Sequence, residues 1–435
     1  MRGTYAANKT LAVALLLAGF FSTPVCAEEV STPISIELKA PEPFGLDEKL
    51  KPRVYFWIDV YAKYNSWQSI LHDHQYPQVV YEVLDRRSKT SSVASARKKY
   101  AQILMHLQRY HTEIEAGKTK LSADEQRIFD LFKEIPGEGK FAAAASAKRM
   151  RTQAGLRDHL LDALFMSGRY LYHMEKVFKS FGLPPQIAYL PFVESGFNHA
   201  AISRVGASGI WQFMPYTGKQ FLRVDDVVDD RNDPMRAADA AARLMKLNFD
   251  TLHDWALAIT AYNHGTTGIA RAVKEVGSTS LAEIIEKYES SSFGYASENY
   301  YASFLAALHV AANSAAYLGE VPRAKKLEFD EFVVPHYVEM KTLISFLKLD
   351  EAEVRELNPG LTKKVYEGKK LIPVGYTLRV PFTARENFLQ KYDAIPKELK
   401  FSSQKMEQAP AVVSPVLSPA LDKKSSPYSA MNYLP

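Results

Sequence analysis

Apolar residues at helical spacing fill the middle of the chain, and this pattern restricts the fold more than any other feature. Residues 156–181 predict one long amphipathic helix, which ends at Gly182 before two prolines. Asp233 and Pro234 predict the start of another helix, because aspartate at the N-cap followed by proline favours helix initiation. A further helix is predicted over residues 254–263. The middle of the chain is therefore predicted to be an all-helical domain.

Helical patterns also dominate residues 51–135. Within them, Ser122 and Glu125 have the spacing of a capping box at the start of a helix. The stretch 137–147 is rich in glycine and alanine, which favours a domain boundary or a surface loop. We therefore predict an N-terminal helical region over residues 28–150.

After residue 326 the pattern changes to a small mixed unit. Two short strands and two short helices between them are predicted at 332–334, 341–349, 351–357 and 376–381. From residue 402 onward serine, proline, lysine and alanine dominate, which is typical of a disordered tail. We place this unit at residues 326–385 and a linker with the tail at 386–435. Residues 151–325 are then assigned to the helical domain.

The first 27 residues have the features of a secretory signal peptide. Arg2 and Lys9 precede an apolar run at 11–21, and Val25-Cys26-Ala27 is typical of a cleavage site. The apolar run is about half of the roughly 20 residues that span a bilayer. We therefore predict a protein that is periplasmic or otherwise exported and is soluble after cleavage.

Cys26 is the single cysteine of the chain, so cleavage after Ala27 would leave no disulfide. Stability would then depend on core packing. The alternative is a lipidated Cys26 with outer-membrane association, although Thr23, Pro24 and Val25 match poorly the residues that precede lipidated cysteines.

Size and charge exclude some classes of protein. The chain has 435 residues, 47% of them hydrophobic, which is more than one core usually organises, so two or three domains are expected. The net charge of +5 falls to +3 when Arg2 and Lys9 leave with the signal peptide, too little to indicate a nucleic-acid partner. No metal site and no cofactor are predicted, because four histidines lack metal-ligand spacing: His199, His253, His264 and His309.

Glu194 is the candidate for acid–base chemistry. It ends an apolar helical segment and is flanked by Phe192, Val193 and Phe197. Poor solvation favours the neutral form of a carboxyl group, so the pKa of Glu194 is expected to be raised, and a protonated carboxyl can act as a general acid. The alternative from spacing alone is a helix-end glutamate that pairs with an arginine.

Three motifs in sequence resemble those of the soluble lytic transglycosylase family. They are Glu194-Ser-Gly-Phe197, Gly206-Ala-Ser-Gly-Ile-Trp-Gln-Phe-Met-Pro215 and Ala261-Tyr262-Asn263. A fourth stretch, Asp229-Asp-Arg-Asn-Asp-Pro234, is similar to the segment that links the motifs in the membrane-bound murein transglycosylase D branch. The resemblance covers roughly residues 183–308. It implies a mainly α chain with a lysozyme-like helical catalytic domain, and peptidoglycan glycan strands as the partner.

The resemblance also implies a role for each matching residue. Glu194 matches the catalytic acid, and the substrate-binding residues are expected to be Ser203, Gln212, Met214, Tyr262, Asn263 and Tyr300. Two places depart from the family pattern. His264-Gly265-Thr266-Thr267 replaces the usual Ala/Ser-Gly-Glu, and Tyr300-Tyr301-Ala302 replaces Tyr-Val-Pro.

Several residues in and near these motifs have a structural interpretation that we favour. Gly206 and Gly209 are expected to serve turns, Trp211 to lie in the core, and Asp233 to cap a helix. The aromatic residues of 54–67 are interpreted as core rather than as a sugar-binding groove.

Residues 332–381 resemble a LysM module, most clearly at Leu357-Asn-Pro-Gly-Leu361 and Leu378-Arg-Val-Pro381. This resemblance implies binding of glycans that contain N-acetylglucosamine. Glu339-Met-Lys-Thr-Leu343 stands where the module usually has Gly-Asp-Thr-Leu. A relic of the fold without sugar affinity is therefore an equal alternative.

The resemblance implies cleavage of the MurNAc–GlcNAc β-1,4 bond with formation of 1,6-anhydro-MurNAc ends, with Glu194 as the sole acid and base. One alternative is a hydrolytic goose-type lysozyme, in which further acidic residues position a water. Four aspartates keep that alternative open: Asp225, Asp226, Asp229 and Asp230. The other alternative is a non-catalytic protein that binds peptidoglycan.

Overall fold

The structure is a computed structural model that describes residues 36–88, 92–384 and 388–404. The predicted signal peptide at 1–27, Cys26, and the part of the predicted tail after residue 404 lie outside the described residues. From Leu38 onward the described residues form one compact unit. In the described part of the chain, no helix has both the length and the apolar content needed to cross a membrane.

The described chain is mainly helical, as the sequence predicts. Its N-terminal part contains, in order, α1 (Lys51–Ala62), β1 (Gln68–Asp73), β2 (Val80–Asp85), α2 (Val93–Arg109), α3 (His111–Glu115), α4 (Ala123–Leu131), α5 (Lys140–Ala144) and β3 (Met150–Ala154). The middle contains α6 (Arg157–Ser180), α7 (Pro191–Glu194), α8 (Pro215–Phe221), α9 (Pro234–Leu252), α10 (Trp255–His264), α11 (Thr266–Val276), α12 (Leu281–Lys287), α13 (Tyr295–Ala312) and α14 (Ser314–Leu318). The C-terminal part contains β4 (Phe329–Val333), α15 (Met340–Leu347), α16 (Glu351–Leu357), α17 (Lys363–Tyr366), β5 (Thr377–Pro381) and α18 (Phe388–Asp393).

Helix α13 lies inside the main core and is buried along most of its length. The side chain of Asn299 on α13 accepts hydrogen bonds from Trp57 Nε1 at 3.0 Å and Arg53 Nη1 at 2.9 Å, both on α1. Tyr61 of α1 shares a hydrogen bond of 2.8 Å with Ser303 of α13. Helix α1 therefore belongs to the core of the middle domain, and the predicted boundary at residue 150 does not separate it from that core.

Three antiparallel strands, β1 to β3, are an addition to the helical region predicted for residues 28–150. Strand β1 lies between β2 and β3, with Ile70 opposite Val83 on one side and Gln153 on the other. Five of the six residues of β1 are buried, so its sequence lacks the alternation of apolar and polar residues that marks a strand with one solvent face. The sheet packs with α2, α4 and α5 around a second core.

The helix starts read from the sequence are confirmed. Ser122 and Glu125 form a capping box on α4, and Asp233 accepts the backbone N–H groups of Met235 and Arg236 at 3.0 and 3.1 Å. The domain boundary or surface loop predicted at 137–147 is wrong for residues 140–144. This stretch contains α5, because the Phe141 side chain is buried in the second core and holds the short helix in place.

The predicted β-α-α-β unit is confirmed, with α17 as an additional helical turn. Strands β4 and β5 pair antiparallel, with Phe332 opposite Leu378, and α15 and α16 pack on them around a third core. The linker predicted from residue 386 is wrong for residues 388–404. Phe388, Tyr392 and Ile395 are buried in this core, because their spacing places all three on one face of the segment.

Replacement of Phe388 by alanine is expected to lower the free energy of unfolding by about 3 kcal/mol, because it removes a buried aromatic side chain and leaves a cavity. Leu389 on the same helix is 65% exposed and gives the matched control, Leu389→Ala. Urea unfolding followed by circular dichroism measures both variants. Equal, small changes in the free energy of unfolding of the two variants would show that α18 does not stabilise the third core.

Candidate active site

Glu194 is the last residue of the four-residue helix α7. Immediately after it the chain turns sharply, and both Gly196 and Phe197 have left-handed backbone conformations, with φ of 59° and 57°. Such a conformation costs a non-glycine residue on the order of 1 kcal/mol, and it persists only when the surrounding structure enforces it. The fully buried Phe197 ring, which packs on Phe192, provides that constraint. The turn fixes Glu194 at the helix end.

The carboxyl group of Glu194 accepts a hydrogen bond at Oε1 from the phenol of Tyr300 on α13. Burial raises the pKa of Glu194 to about 7, and the Tyr300 hydrogen bond opposes this shift. The raised pKa expected from the apolar neighbours is therefore confirmed. The partner of Glu194 is a tyrosine, in place of the arginine that the structural alternative requires.

Two further tyrosines lie within range of the negative charge of Glu194. Burial raises the pKa of Tyr262 and of Tyr61, and the negative charge of Glu194 adds to both shifts. The phenol of Tyr262 donates to the backbone oxygen of Trp211 at 3.0 Å, which ties α10 to the second motif. Glu194 thus lies among three neutral phenols, those of Tyr61, Tyr262 and Tyr300.

The loop of the second motif is held by its own side chains. Ser203 Oγ accepts the backbone N–H of Ala207 at 2.9 Å, and Gln212 Nε2 donates to the backbone oxygens of Gly209 at 2.7 Å and Ala201 at 3.2 Å. These bonds leave the Ser203 hydroxyl proton and the Gln212 amide oxygen as the groups able to contact a ligand. Both residues therefore shape the loop whatever else they bind.

The structural interpretations of Gly209 and Trp211 are confirmed. Gly209 has φ of 77°, and a Cβ atom there would lie 1.9 Å from the backbone oxygen of Arg231. Gly206 has φ of 88° and also serves a turn. Trp211 is fully buried and packs on Phe178, so it belongs to the core.

The remaining predicted residues have contacts of their own. Asn263 is buried, and its Oδ1 accepts a hydrogen bond of 3.0 Å from Ser297, which lies 3.2 Å from a ring nitrogen of His264. Met214 is the half-buried N-cap residue of α8. The structure brings Tyr300 into hydrogen-bond contact with Glu194 and Tyr262 within range of its charge. The substrate-binding roles of Ser203, Gln212, Met214, Tyr262, Asn263 and Tyr300 stay predictions.

The prediction that the aromatic residues of 54–67 belong to the core is confirmed for Tyr61, but the sequence did not indicate that its phenol lies within range of the Glu194 charge. Its helix α1 is apolar on most sides, a pattern that indicates only a buried helix. No motif links α1 to Glu194, and only the packing of α1 on α13 brings the Tyr61 phenol to the site.

A cleft of about 410 Å³ adjoins the turn that follows Glu194. Helix α6 forms one wall through His159, Asp162 and Met166, and the turn forms another through Ser195 and Asn198. Tyr61 also lines this cleft, whereas Glu194 does not. The cleft therefore adjoins the turn that follows Glu194.

Each of the four aspartates of 225–230 has a backbone or charged partner, and that of Asp230 is Arg236 at 3.5 Å. Asp225 accepts the N–H groups of Val227 and Val228, Asp226 pairs with Lys370 at 3.2 Å, and Asp229 pairs with Arg231 at 2.7 Å. Burial raises the pKa of Asp230 to about 6. Within the described ranges, no group of three or more His, Cys, Asp or Glu side chains is placed to hold a metal ion.

A family model described as the transglycosylase SLT domain matches residues 174–285, which include Glu194, the second motif and Tyr262-Asn263. Over these residues the chain is similar to this domain family. Two known proteins named membrane-bound lytic murein transglycosylase D, from Escherichia coli strain K12 and from strain O6:H1, are each 33% identical to it over 150 residues. Each match covers 33% of this chain and 33% of the relative, so the chain matches about a third of their length. Tyr300 lies outside the matched SLT range.

Replacement of Tyr300 by phenylalanine is expected to raise the pKa of Glu194 further. The phenol hydrogen bond stabilises the carboxylate, so its loss favours the protonated form. Tyr301→Phe is the matched control, because the neighbouring phenol donates to the backbone oxygen of Gly45. NMR titration of ¹³C-labelled glutamate side chains, assigned with Glu194→Gln, measures the shift. A lower pKa in Tyr300→Phe would contradict the assignment.

Proposed function

We propose that this protein is a lytic transglycosylase that cleaves the MurNAc–GlcNAc β-1,4 bond of peptidoglycan, with Glu194 as the sole general acid and base. The observation that carries the proposal is the Glu194 carboxyl, with a pKa of about 7, at the first motif of an SLT domain. A group with this pKa is partly protonated at neutral pH, so it can both give and take a proton there.

In the first step the protonated Glu194 transfers its proton to the bridging oxygen as the glycosidic bond breaks. The resulting positive charge at the anomeric carbon of MurNAc is stabilised by that sugar's own N-acetyl group. The Tyr300 phenol holds one carboxyl oxygen, and a fixed donor of this kind orients the acid and stabilises the carboxylate as it forms.

In the second step the 6-hydroxyl of the same MurNAc attacks the anomeric carbon, and Glu194 takes the hydroxyl proton. The acid is thereby regenerated, a 1,6-anhydro ring closes, and no water is consumed. Ordinary glycosidases need a second carboxylate for water or for the anomeric carbon. The internal nucleophile removes that need, which fits a site whose carboxyl has a tyrosine partner.

Ser203, Gln212, Met214, Tyr262, Asn263 and Tyr300 are proposed to orient the sugar and its acetamido group. Their contribution would be positional, because the nucleophile is already attached to the substrate. The loop that carries Ser203 and Gln212 is fixed by internal hydrogen bonds, which suits this role.

Hydrolysis of the same bond is the second candidate, and one observation favours it. Asp162 lines the cleft beside the Glu194 turn and could activate a water there. Asp225, Asp226 and Asp229 are poorly suited to this task, because backbone groups and basic side chains already occupy their carboxylates. The non-catalytic alternative predicts no cleavage at all by the pure protein.

We also propose that the protein works outside the cytoplasm, where peptidoglycan lies. Two observations support this: the signal-peptide pattern of residues 1–27, and relatives whose name describes them as membrane-bound murein enzymes. Lipidation of Cys26 stays the alternative route to a membrane.

Replacement of Glu194 by glutamine is expected to lower the rate of glycan cleavage by roughly 10²- to 10⁴-fold, because the amide keeps the shape and lacks the transferable proton. Glu175→Gln is the matched control, since burial also raises the pKa of this half-buried glutamate on α6. Release of soluble muropeptides from purified peptidoglycan measures both. More than a tenth of the wild-type rate in Glu194→Gln would remove this residue from the mechanism.

Digestion in water labelled with oxygen-18 separates the two enzymatic candidates. The proposed route should release muropeptides with unlabelled 1,6-anhydro-MurNAc ends, whereas hydrolysis places the label on each new anomeric centre. Mass spectrometry of the products distinguishes them. Label at most new ends, lost in Asp162→Asn, would replace the transglycosylase proposal with hydrolysis.

A further inference from the structure

The C-terminal unit, residues 329–404, docks on residues 225–233, which we call the linking segment. The backbone N–H of Asp229 donates to the oxygen of Gly360 at 2.7 Å, and the N–H of Thr362 donates to the oxygen of Val227 at 3.0 Å. Val227 and Val228 are buried in the core of the C-terminal unit. The linking segment is thus part of the unit's own packing.

A buried ion pair fixes this contact. Arg379 Nη1 on β5 lies 2.8 and 2.7 Å from the two carboxylate oxygens of Asp233, which is 1% exposed. Asp233 also caps α9, so one carboxylate joins the helix start to the C-terminal unit. Asn358 brackets the backbone of Arg379 by accepting its N–H at 2.8 Å and donating to its oxygen at 2.6 Å. The LysM-like residue Asn358 therefore holds Arg379 in place.

The linking segment also contacts the loop of the second motif. Arg231 Nη1 donates to the backbone oxygens of Gly206 at 2.9 Å and Phe213 at 3.2 Å. Ser208 Oγ donates to Asn232 Oδ1 at 2.6 Å, and the Arg231 backbone is packed so closely on Gly209 that no side chain fits between them. The loop that carries Gln212 thus lies on Arg231 and Asn232.

We propose that the C-terminal unit is a fixed brace for the Gln212 loop, with Arg379 as a positioning residue that acts through Asp233 and Arg231. The inference rests on the proposed function only where it concerns catalysis. A displacement of about 1 Å in a substrate-binding group can cost up to about 10²-fold in rate. Because the Gln212 loop contacts the linking segment, a weaker contact between that segment and the C-terminal unit would allow the loop to move by such a distance.

Hydrogen exchange tests the brace without any use of activity. In Arg379→Met, the amides of residues 206–214 are expected to exchange about tenfold faster, because the linking segment beneath them loses its anchor. Arg379→Lys keeps a positive charge and should restore part of the protection. Arg243→Met is the matched control, because this exposed arginine on α9 pairs with Asp239 of the same helix, at 2.7 Å. Helix α2 serves as the internal reference, because it packs in the second core and not in the core of the C-terminal unit.

A purely local role of Arg379 predicts a different pattern. Residues 225–236 would then exchange faster while residues 206–214 stay as protected as in the wild type, and this result would overturn the proposal. Equal acceleration in Arg243→Met would overturn it as well.

A second variant decides the question if Arg379→Met does not fold. Asp226 lies at the rim of the docking surface, 3.2 Å from Lys370 and 3.5 Å from Lys364, and its side chain is 51% exposed. Asp226→Lys should therefore fold but repel the C-terminal unit, and should accelerate exchange at 206–214 several-fold. Asp250→Lys makes the same reversal next to Lys246 on α9, away from the unit. Unchanged exchange at 206–214 in Asp226→Lys would overturn the brace.

Kinetics on soluble glycan strands then separate positioning from folding. Arg379→Met is expected to lower kcat about tenfold or more at a temperature where it is fully folded, and Arg379→Lys should recover part of this loss. Faster exchange at 206–214 with unchanged kcat and KM would overturn the positioning role. If wild type cleaves no glycan, the proposed function fails, while the exchange pattern still decides the brace.

Discussion

The packing of α13 against α1 is the interaction on which the candidate site depends. Tyr300 reaches Glu194 from α13, and its neighbours Asn299 and Ser303 are held by side chains of α1 through buried hydrogen bonds. A buried polar group without its partner is costly, so these bonds permit one register of α13 against α1. That register determines where the Tyr300 phenol lies.

Desolvation links the fold to the proposed chemistry. The same burial that stabilises the core raises the pKa of Glu194 to about 7, and it also raises the pKa of the nearby Tyr61 and Tyr262 phenols. A carboxyl group on an open surface would be ionised at neutral pH and could not protonate a leaving oxygen. The left-handed backbone of Phe197 contributes to this burial, because the turn that contains it ends α7 at Glu194 and so fixes where the carboxyl group lies.

Much of the fold could be predicted because its signals are local. The capping box of α4, the Asp233 cap of α9 and the β-α-α-β order each depend on a few adjacent residues. The sheet beside α2 was missed because β1 is buried on both faces and shows no alternation. Helix α5 and residues 388–404 were missed because composition suggested loops, whereas a few buried side chains such as Phe141 and Tyr392 hold them on cores.

The sequence by itself identified Glu194 and the loop of the second motif as candidate site residues, because each motif is a run of adjacent residues and the motifs follow one another in a recognisable order. The structure alone decided which groups meet them. Tyr61 reaches the site, and Arg379 reaches the linking segment, through contacts between residues far apart in the chain. Such contacts depend on the packing of whole helices and strands, and no local pattern encodes them.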